Sequence, residues 1–434
     1  MSIAQGVDMS SLNYLDALIR MHFMALVLAV VALVPLTTNA AALNTEEAAA
    51  WTEDFDYLVS ELPKLHKNAY FQVSEDEFNS HAKHIRELIP TYDREHVIAG
   101  LCRQVALIGD SHTSLNIYSD PAGIRFFPLQ LVCFSDGWRV IASSPDAKQA
   151  IGCTPVAIGG MPIDDAAAKI RTAFCFSNDS GALAQLPSLL VNGPVLYGVG
   201  VTDDPLAATW TFLDEDGKQF DLYIGVMSPG STQGWPTVWD GREQVTPMCR
   251  QQTGNPYYYI WNPDLSLLYF QYNSCRERDD LSFADFSDML FEAFDQYPYT
   301  KFVIDLRYNS GGNSGIADPL IDRLAADERV NQPGKIFVVT GRHTFSSAVL
   351  NALSLKQKTE AVFVGEPTGG SPNHYGELQF LTLPNSGIKV SYSTKYFKWT
   401  DDNSDAIYPE IATPVSFDDY LAGIDPALEA VLAY

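Results

Sequence analysis

The sequence predicts a multidomain α+β protein, with a helical N-terminal domain, a β-rich middle and a C-terminal α/β core. Three observations carry this. From Thr45 to Ile108, apolar residues such as Phe55, Leu58, Leu62 and Leu65 recur at three- and four-residue spacing, the period of helices with one buried face. From about Phe126 to Val226, short apolar or alternating runs are separated by turn signals such as Asp136-Gly137 and Asp216-Gly217. After Leu267, strand-like and helix-like segments alternate, the rhythm of a layered α/β core whose loops at strand ends carry the chemistry.

Taken in order, residues 1–42 stand outside the fold. Phe23–Leu36 is a 14-residue apolar run followed by Thr-Thr-Asn-Ala-Ala-Ala, whose small residues at 38, 40 and 42 suit a signal-peptidase cut. The run is shorter than the ~20 residues that span a bilayer, and no later stretch is long enough, so an exported protein without a permanent membrane span is expected. Residues 1–20 carry Asp8 and Asp16 against Arg20 alone, a poor basic lead-in that suggests a start at Met21. Residues 43–120 read as the helical domain and 121–230 as the β-rich domain. In the latter, strands fall near Leu129–Phe134, Trp138–Ala142, Pro155–Ile158, Thr209–Leu213 and Phe220–Ile224. Residues 231–264, rich in Pro, Gly, Thr and Gln, read as a linker or covering loop. The core, 265–434, predicts strands at Leu267–Tyr272, Phe302–Leu306, Lys335–Val339 and Ala361–Val364. Helices are expected at Phe283–Gln296, Ile316–Leu324 and Ser346–Leu355, with a hairpin turn at Pro384-Asn-Ser-Gly387.

Composition narrows the function. The 434 residues are 46% hydrophobic, enough for a sizeable core, and 28 Lys+Arg against 53 Asp+Glu give a formal charge of −25. Such a surface repels phosphate backbones, so nucleic acid is not an expected partner. Six cysteines lie far apart, with no Cys-x-x-Cys pair and no histidines at ligand spacing; no zinc site is expected, and disulfides remain open.

Three segments carry candidate chemistry. Lys335–Leu353 reads as strand, turn and helix, with Ser346 where the helix begins; backbone N–H groups converging there stabilise an alkoxide or oxyanion, although serine is also a favoured ordinary N-cap. Asp305-Leu-Arg-Tyr-Asn-Ser-Gly-Gly-Asn-Ser-Gly places a glycine-rich turn after an apolar strand. Gly311 and Gly312 there can present N–H groups with no side chain in the way, or simply make a tight turn; neither phosphate-loop fingerprint matches. Gly109-Asp-Ser-His-Thr puts His112 in a polar turn, and a neutral imidazole is the natural base for a serine, but chemistry alone does not choose it over His66, His343 or His374.

Taken together, Gly109-Asp-Ser-His-Thr113, Asp305–Gly312, Thr344-Phe-Ser-Ser-Ala348, Gly365-Glu-Pro-Thr-Gly-Gly370 and the weaker Pro409-Glu-Ile411 resemble, in order, the motifs of the tail-specific (C-terminal processing) and tricorn-type serine peptidases, over about residues 51–432. The resemblance implies a PDZ-like β domain, suggested also by Gly152–Ile163, and a crotonase-like ββα-superhelix catalytic core. Where the Ser–Lys branch has Gly-Lys after Gly-Glu-Pro-Thr, this chain reads Gly369-Gly370-Ser371, so the resemblance points to the Ser–His branch. By position it implies Ser346 as nucleophile, His112 as base, Ser111 as a link between base and acid, and Gly311, Gly312 and Ser347 as oxyanion donors. The acid falls at Asp402, with Asp401 and Asp405 fitting nearly as well. The implied activity is that of an exported serine endopeptidase acting on protein or peptide without metal or cofactor; the alternative is a catalytically silent carrier of a lipophilic ligand or peptide on the same fold.

Overall fold

The structure, a computed structural model, describes residues 42–434 apart from Ser231. The expected signal peptide and the start at Met21 lie outside the described residues.

Three helices open the chain: α1 (Thr45–Leu65), α2 (Glu75–Leu88) and α3 (Arg94–Ala106). Each begins on a side chain that accepts backbone N–H groups, through capping boxes at Asn44/Glu47 and Ser74/Glu77 and through Asp93. Helix α1 buries Phe55, Leu58 and Leu62 of the stripe its spacing predicts, whereas Leu65, its last residue, is exposed, and it ends at His66. A turn after α3 carries residues 107–113 into the short strand β1 (Ser114–Asn116).

The middle of the chain holds the hairpin β2 (Leu129–Phe134)/β3 (Gly137–Ser143), then β4 (Thr154–Ile158), β5 (Met161–Pro162), β6 (Ala207–Leu213) and β7 (Gln219–Gly225), paired in the order β5-β4-β6-β7. The strands lie where the alternation puts them. Between them sit three helices that the β-rich reading leaves out: α4 (Ile163–Arg171), α5 (Asp179–Leu190) and α6 (Gly193–Gly198). They are short, at nine, twelve and six residues, and α5 holds an internal Pro187; the helical stripe of α4, Ile163, Ala166, Ala167 and Ile170, is only two turns long and mostly alanine. The expected linker 231–264 also contains a strand, β8 (Tyr257–Asn262). Its run Tyr-Tyr-Tyr-Ile-Trp-Asn has no period-two pattern because both faces are at least half covered.

The C-terminal core is a six-stranded sheet in the order β15-β12-β11-β10-β9-β8, made of β9 (Leu267–Tyr272), β10 (Lys301–Asp305), β11 (Ile336–Thr340), β12 (Val362–Gly365) and β15 (Ile411–Ala412), parallel except for the antiparallel edge β8. Every residue of β9 and β11 is buried, as expected of parallel strands covered on both faces. Helices α7 (Phe283–Gln296), α8 (Asp318–Ala326) and α9 (Ser347–Lys358) cross between strands, and α10 (Phe417–Ala422) and α11 (Pro426–Ala433) close the chain. The four strands and three helices predicted for the core begin and end within about two residues of their expected positions, except α9, which runs three residues further. A fourth sheet, β1-β14-β13, pairs β1 with the hairpin β13 (His374–Thr382)/β14 (Lys389–Phe397). The predicted Pro384–Gly387 turn closes this hairpin and docks on α1, where buried Asp54 accepts the N–H groups of Asn385 (2.7 Å) and Ser386 (2.8 Å).

All six cysteines are free. Among the described residues no helix is long and apolar enough to cross a membrane.

Candidate active site

The loops leaving the carboxyl ends of β10, β11 and β12 meet one another, and the β1–β14–β13 sheet brings residues 110–113 to the same place. The β11–α9 turn is tied down by Thr344, whose hydroxyl donates to the Leu306 carbonyl (2.9 Å) and accepts the Gly341 N–H (3.0 Å), and by Phe345, whose N–H donates to Asn309 O (3.0 Å). Glu366 joins Arg342 at 2.8 Å, a structural carboxylate bracing this turn.

Ser346 emerges from that turn with φ 52° and ψ −126°, a backbone region that residues bearing a Cβ rarely adopt. Holding it there costs on the order of 1–3 kcal/mol, which the surrounding hydrogen bonds must offset. Its side chain makes no cap bond to α9, so the ordinary N-cap reading does not describe it, and Oγ is left without a hydrogen bond among the described residues. The glycine turn packs directly on it. A Cβ on Gly311, at φ 106°, would lie 2.8 Å from Ser346 Cβ, so no other residue fits without displacing the serine.

The expected oxyanion donors differ in availability. Gly311 donates its N–H to Asn309 Oδ1 (2.9 Å) and is already engaged. Gly312 pairs with Cys275 through its neighbours: Cys275 N–H donates to Gly311 O, and Asn313 N–H donates to Cys275 O. In such a parallel bridge the central residue's own N–H points away from the partner. The Gly312 carbonyl lies on that same outward side and accepts the Ser347 hydroxyl at 2.6 Å. The Gly312 N–H and the first N–H of α9, at Ser347, are therefore left without a partner among the described residues.

His112 reaches the site inside a column of rings. It stacks on Phe345, the residue before Ser346, at 4.5 Å between centroids and on His374 at 5.2 Å, and His374 in turn packs on Phe397 at 5.5 Å. Both His112 ring nitrogens are buried without a hydrogen-bond partner, so the Ser346–His112 bond is not made in this geometry. Burial first, then the neighbouring His374, pushes the His112 pKa down to about 4, against a smaller opposing pull from Asp110; the ring is neutral at pH 7.

Asp110 is the carboxylate that faces His112. Its Oδ1 accepts the His112 backbone N–H (3.0 Å) and lies 3.9 Å from Nδ1. Oδ2 accepts Thr113 Oγ1 (2.6 Å), Ser393 Oγ (2.6 Å) and His66 Nε2 (3.2 Å). His66 Nδ1 accepts the Asn68 N–H (3.0 Å), which places the proton of that imidazole on Nε2, toward Asp110. Burial alone would raise the Asp110 pKa, but the bonds from His66, Ser393, Thr113 and the His112 N–H outweigh it and hold the carboxyl below its ordinary range.

The expected acids are elsewhere. Asp402 is exposed and accepts the Ser404 N–H (3.1 Å), Asp401 pairs with Lys398 (2.8 Å), and Asp405 accepts the Tyr408 hydroxyl (3.0 Å); none contacts His112. Ser111 hydrogen-bonds Ser177 Oγ at 2.6 Å rather than linking His112 to an acid. Position in a motif does not fix side-chain direction, and these aspartates lie in a polar loop that satisfies its own turns. Two participants that sequence reasoning did not select are His66 and His374. Each was one of several candidate histidines, and only the docking of α1 and β13 on the His112 turn singles them out. Among the described residues no cluster of His, Cys, Asp or Glu is arranged to hold a metal.

No family profile and no curated protein matches the chain. Solved structures do. Mature CPAF complexed with lactacystin aligns with a TM-score of 0.60 at 12% identity, covering 88% of this chain and 97% of that one; mature CPAF aligns at 0.59 and 12%, covering 89% and 96%. The chain therefore shares the CPAF fold along nearly its whole described length. A photosystem II D1 C-terminal processing protease also aligns, at a TM-score of 0.40 and 14% identity over 87% and 98% of the two chains, too low to bear on the fold.

Proposed function

We propose that the chain is a serine peptidase, exported after removal of its leader, that cleaves protein or peptide substrates through Ser346. The observation that carries this is the strained, uncapped Ser346, packed on the glycine turn and preceded by Phe345, on which the buried, neutral imidazole of His112 stacks. In this reading residues 121–230 form a PDZ-like domain and 265–434 a crotonase-like catalytic core.

Ser346 Oγ attacks the substrate carbonyl, and its proton passes to His112, which later gives it to the leaving amine. Gly312 N–H and Ser347 N–H receive the oxyanion; loss of one such donor typically costs about 3 kcal/mol of transition-state stabilisation. Asp110 takes the acid's part. It holds the loop of His112 through the backbone N–H and favours the imidazolium by its charge. A base held near 4 is always free to accept a proton at neutral pH but binds it weakly, so the negative charge developing on the oxyanion drives the transfer. The test is turnover of fluorescein-labelled casein by the wild type, Ser346→Ala and His112→Ala. Both variants are expected to fold, Ser346→Ala with the wild-type Tm, and to lose at least about 10³-fold in kcat; wild-type turnover by Ser346→Ala excludes the reading.

A second reading, a carrier of a lipophilic ligand, is favoured by one feature. A cavity of about 300 Å³ lies between α3 and α6, lined by Ile98, Ala99, Cys102, Phe174, Val195 and Val199 among others, and it shares no lining residue with the site above. Solvent extraction of the purified protein followed by mass spectrometry decides it; a stoichiometric lipid supports the carrier, and its absence removes it.

A further inference from the structure

Strand β13 is the outer strand of the sheet β1-β14-β13, and no strand of the described residues pairs with its far side. Which of its backbone groups face outward follows from its neighbour β14. Ser393 N–H donates to Thr113 Oγ1, Ser393 O accepts the Lys67 N–H, and Lys389 N–H donates to Ser119 Oγ. The main-chain groups of residues 389 and 393 thus point away from β13. By the two-residue period their partners Leu378 (opposite Ser393), Phe380 (opposite Ser391) and Thr382 (opposite Lys389) turn their own N–H and C=O groups to the open side. The Thr394 hydroxyl, donating to Glu377 O, agrees with the intervening residues facing inward.

The side chains add a direction. Directly paired residues share a sheet face, and Ser391 and Ser393 aim theirs at the site: Ser393 Oγ donates to Asp110 and Ser391 Oγ to the His112 carbonyl. Leu378 and Phe380 therefore stand on the face that carries His112, and they are 42% and 58% exposed. The same strand begins at His374, stacked on His112. A free main-chain edge with exposed apolar residues at 378 and 380 thus continues from His374 in unbroken register, across a local kink at Glu377 (φ 60°).

We infer that β13 is the substrate-docking strand: an extended peptide adds to its outer edge, bonded by the main chain of Leu378 and Phe380, with apolar side chains over those two residues and its scissile bond beyond His374 at Ser346. At about 3.3 Å per extended residue, Leu378 and Phe380 lie at most about 13 and 20 Å along the strand from His374, the kink at Glu377 shortening both. The contacts therefore fall roughly four and six residues from the start of the strand, outside the reach of very short substrates. This inference rests on the peptidase reading.

The test uses the full chain and reduced, carboxymethylated casein as the unfolded probe. Phe380→Pro removes one outward N–H while sparing the inward ladder, a position where an edge strand tolerates proline. KM for casein is expected to rise about tenfold with kcat changing less than about twofold, while a tripeptide ester shows no such rise. In the Ser346→Ala background, hydrogen exchange at Leu378 and Phe380 is expected to slow when casein is added. If Phe380→Pro lowers the Tm, Leu378→Asp gives the same kinetic readout without a backbone change. Unchanged KM in the folded variants overturns the inference, as does unchanged exchange with casein bound. Protection that appears without casein and grows with protein concentration assigns the edge to a second copy and overturns it too. Failure of the peptidase reading looks different: wild type and Ser346→Ala then turn over casein equally, whatever β13 does.

Discussion

At the residue scale, the site depends on an imidazole kept uncharged. His112 is held near 4 in the folded chain against 6.5 as its ordinary value, so between those values the unfolded chain binds more protons than the folded one. Stability from this group is complete above about 6.5 and falls as pH drops through 4, by on the order of 3 kcal/mol at most. In the proposed mechanism activity depends on the same neutral form. Casein turnover is expected to hold from pH 8 down to about 5 and to reach half its plateau near 4, below the ordinary histidine range; an acid limb centred at 6.5 contradicts this. Asp110 was present in the Gly-Asp-x-His signature, yet its part is not written there. It comes from four donors on three separate segments, His66, His112–Thr113 and Ser393, converging on one carboxylate. His374 is the plainer case: nothing in Asn373-His-Tyr-Gly marks it, and only the register of β13 puts its ring on that of His112.

At the element scale, legibility followed burial. Strands β9 to β12 are continuous apolar runs buried on both faces, and their positions can be read directly from sequence. The helices α4 to α6 could not be, because they are short, α5 and α6 contain glycine and proline, and helices of this length derive their stability from packing. The Pro384–Gly387 turn was legible as a turn, but its anchor was not: Asp54 sits on the buried side of α1, in a position that sequence alone assigns to an apolar residue. That contact joins the first helix to the hairpin that carries His374. Asp54→Ala leaves two turn N–H groups unpaired, and a loss of roughly 1–3 kcal/mol is expected from urea unfolding. Because the hairpin supports the ring column, kcat is expected to fall as well; wild-type stability in Asp54→Ala would show that the anchor does not hold the hairpin.

At the scale of the whole molecule, the site is assembled from pieces far apart in the chain. The parallel sheet supplies Ser346 and the glycine turn, the helical N-terminus supplies His66 and the His112 loop, and the β13–β14 hairpin supplies His374 and Ser393. The buried Asp305–Arg307–Asp425 bridge, with Arg307 at 2.8 and 2.9 Å from the two carboxylates, fastens the start of α11 to the strand that leads into the glycine turn. The shared CPAF fold is consistent with this long-range assembly but identifies no catalytic residue of this chain. The central claim is that Ser346 is an activated nucleophile, and reaction with a fluorophosphonate probe, read by intact mass at pH 7, tests it most directly. One adduct that disappears with Ser346→Ala and persists with Ser347→Ala is the predicted result. No adduct on the folded protein, or an adduct that survives Ser346→Ala, contradicts it.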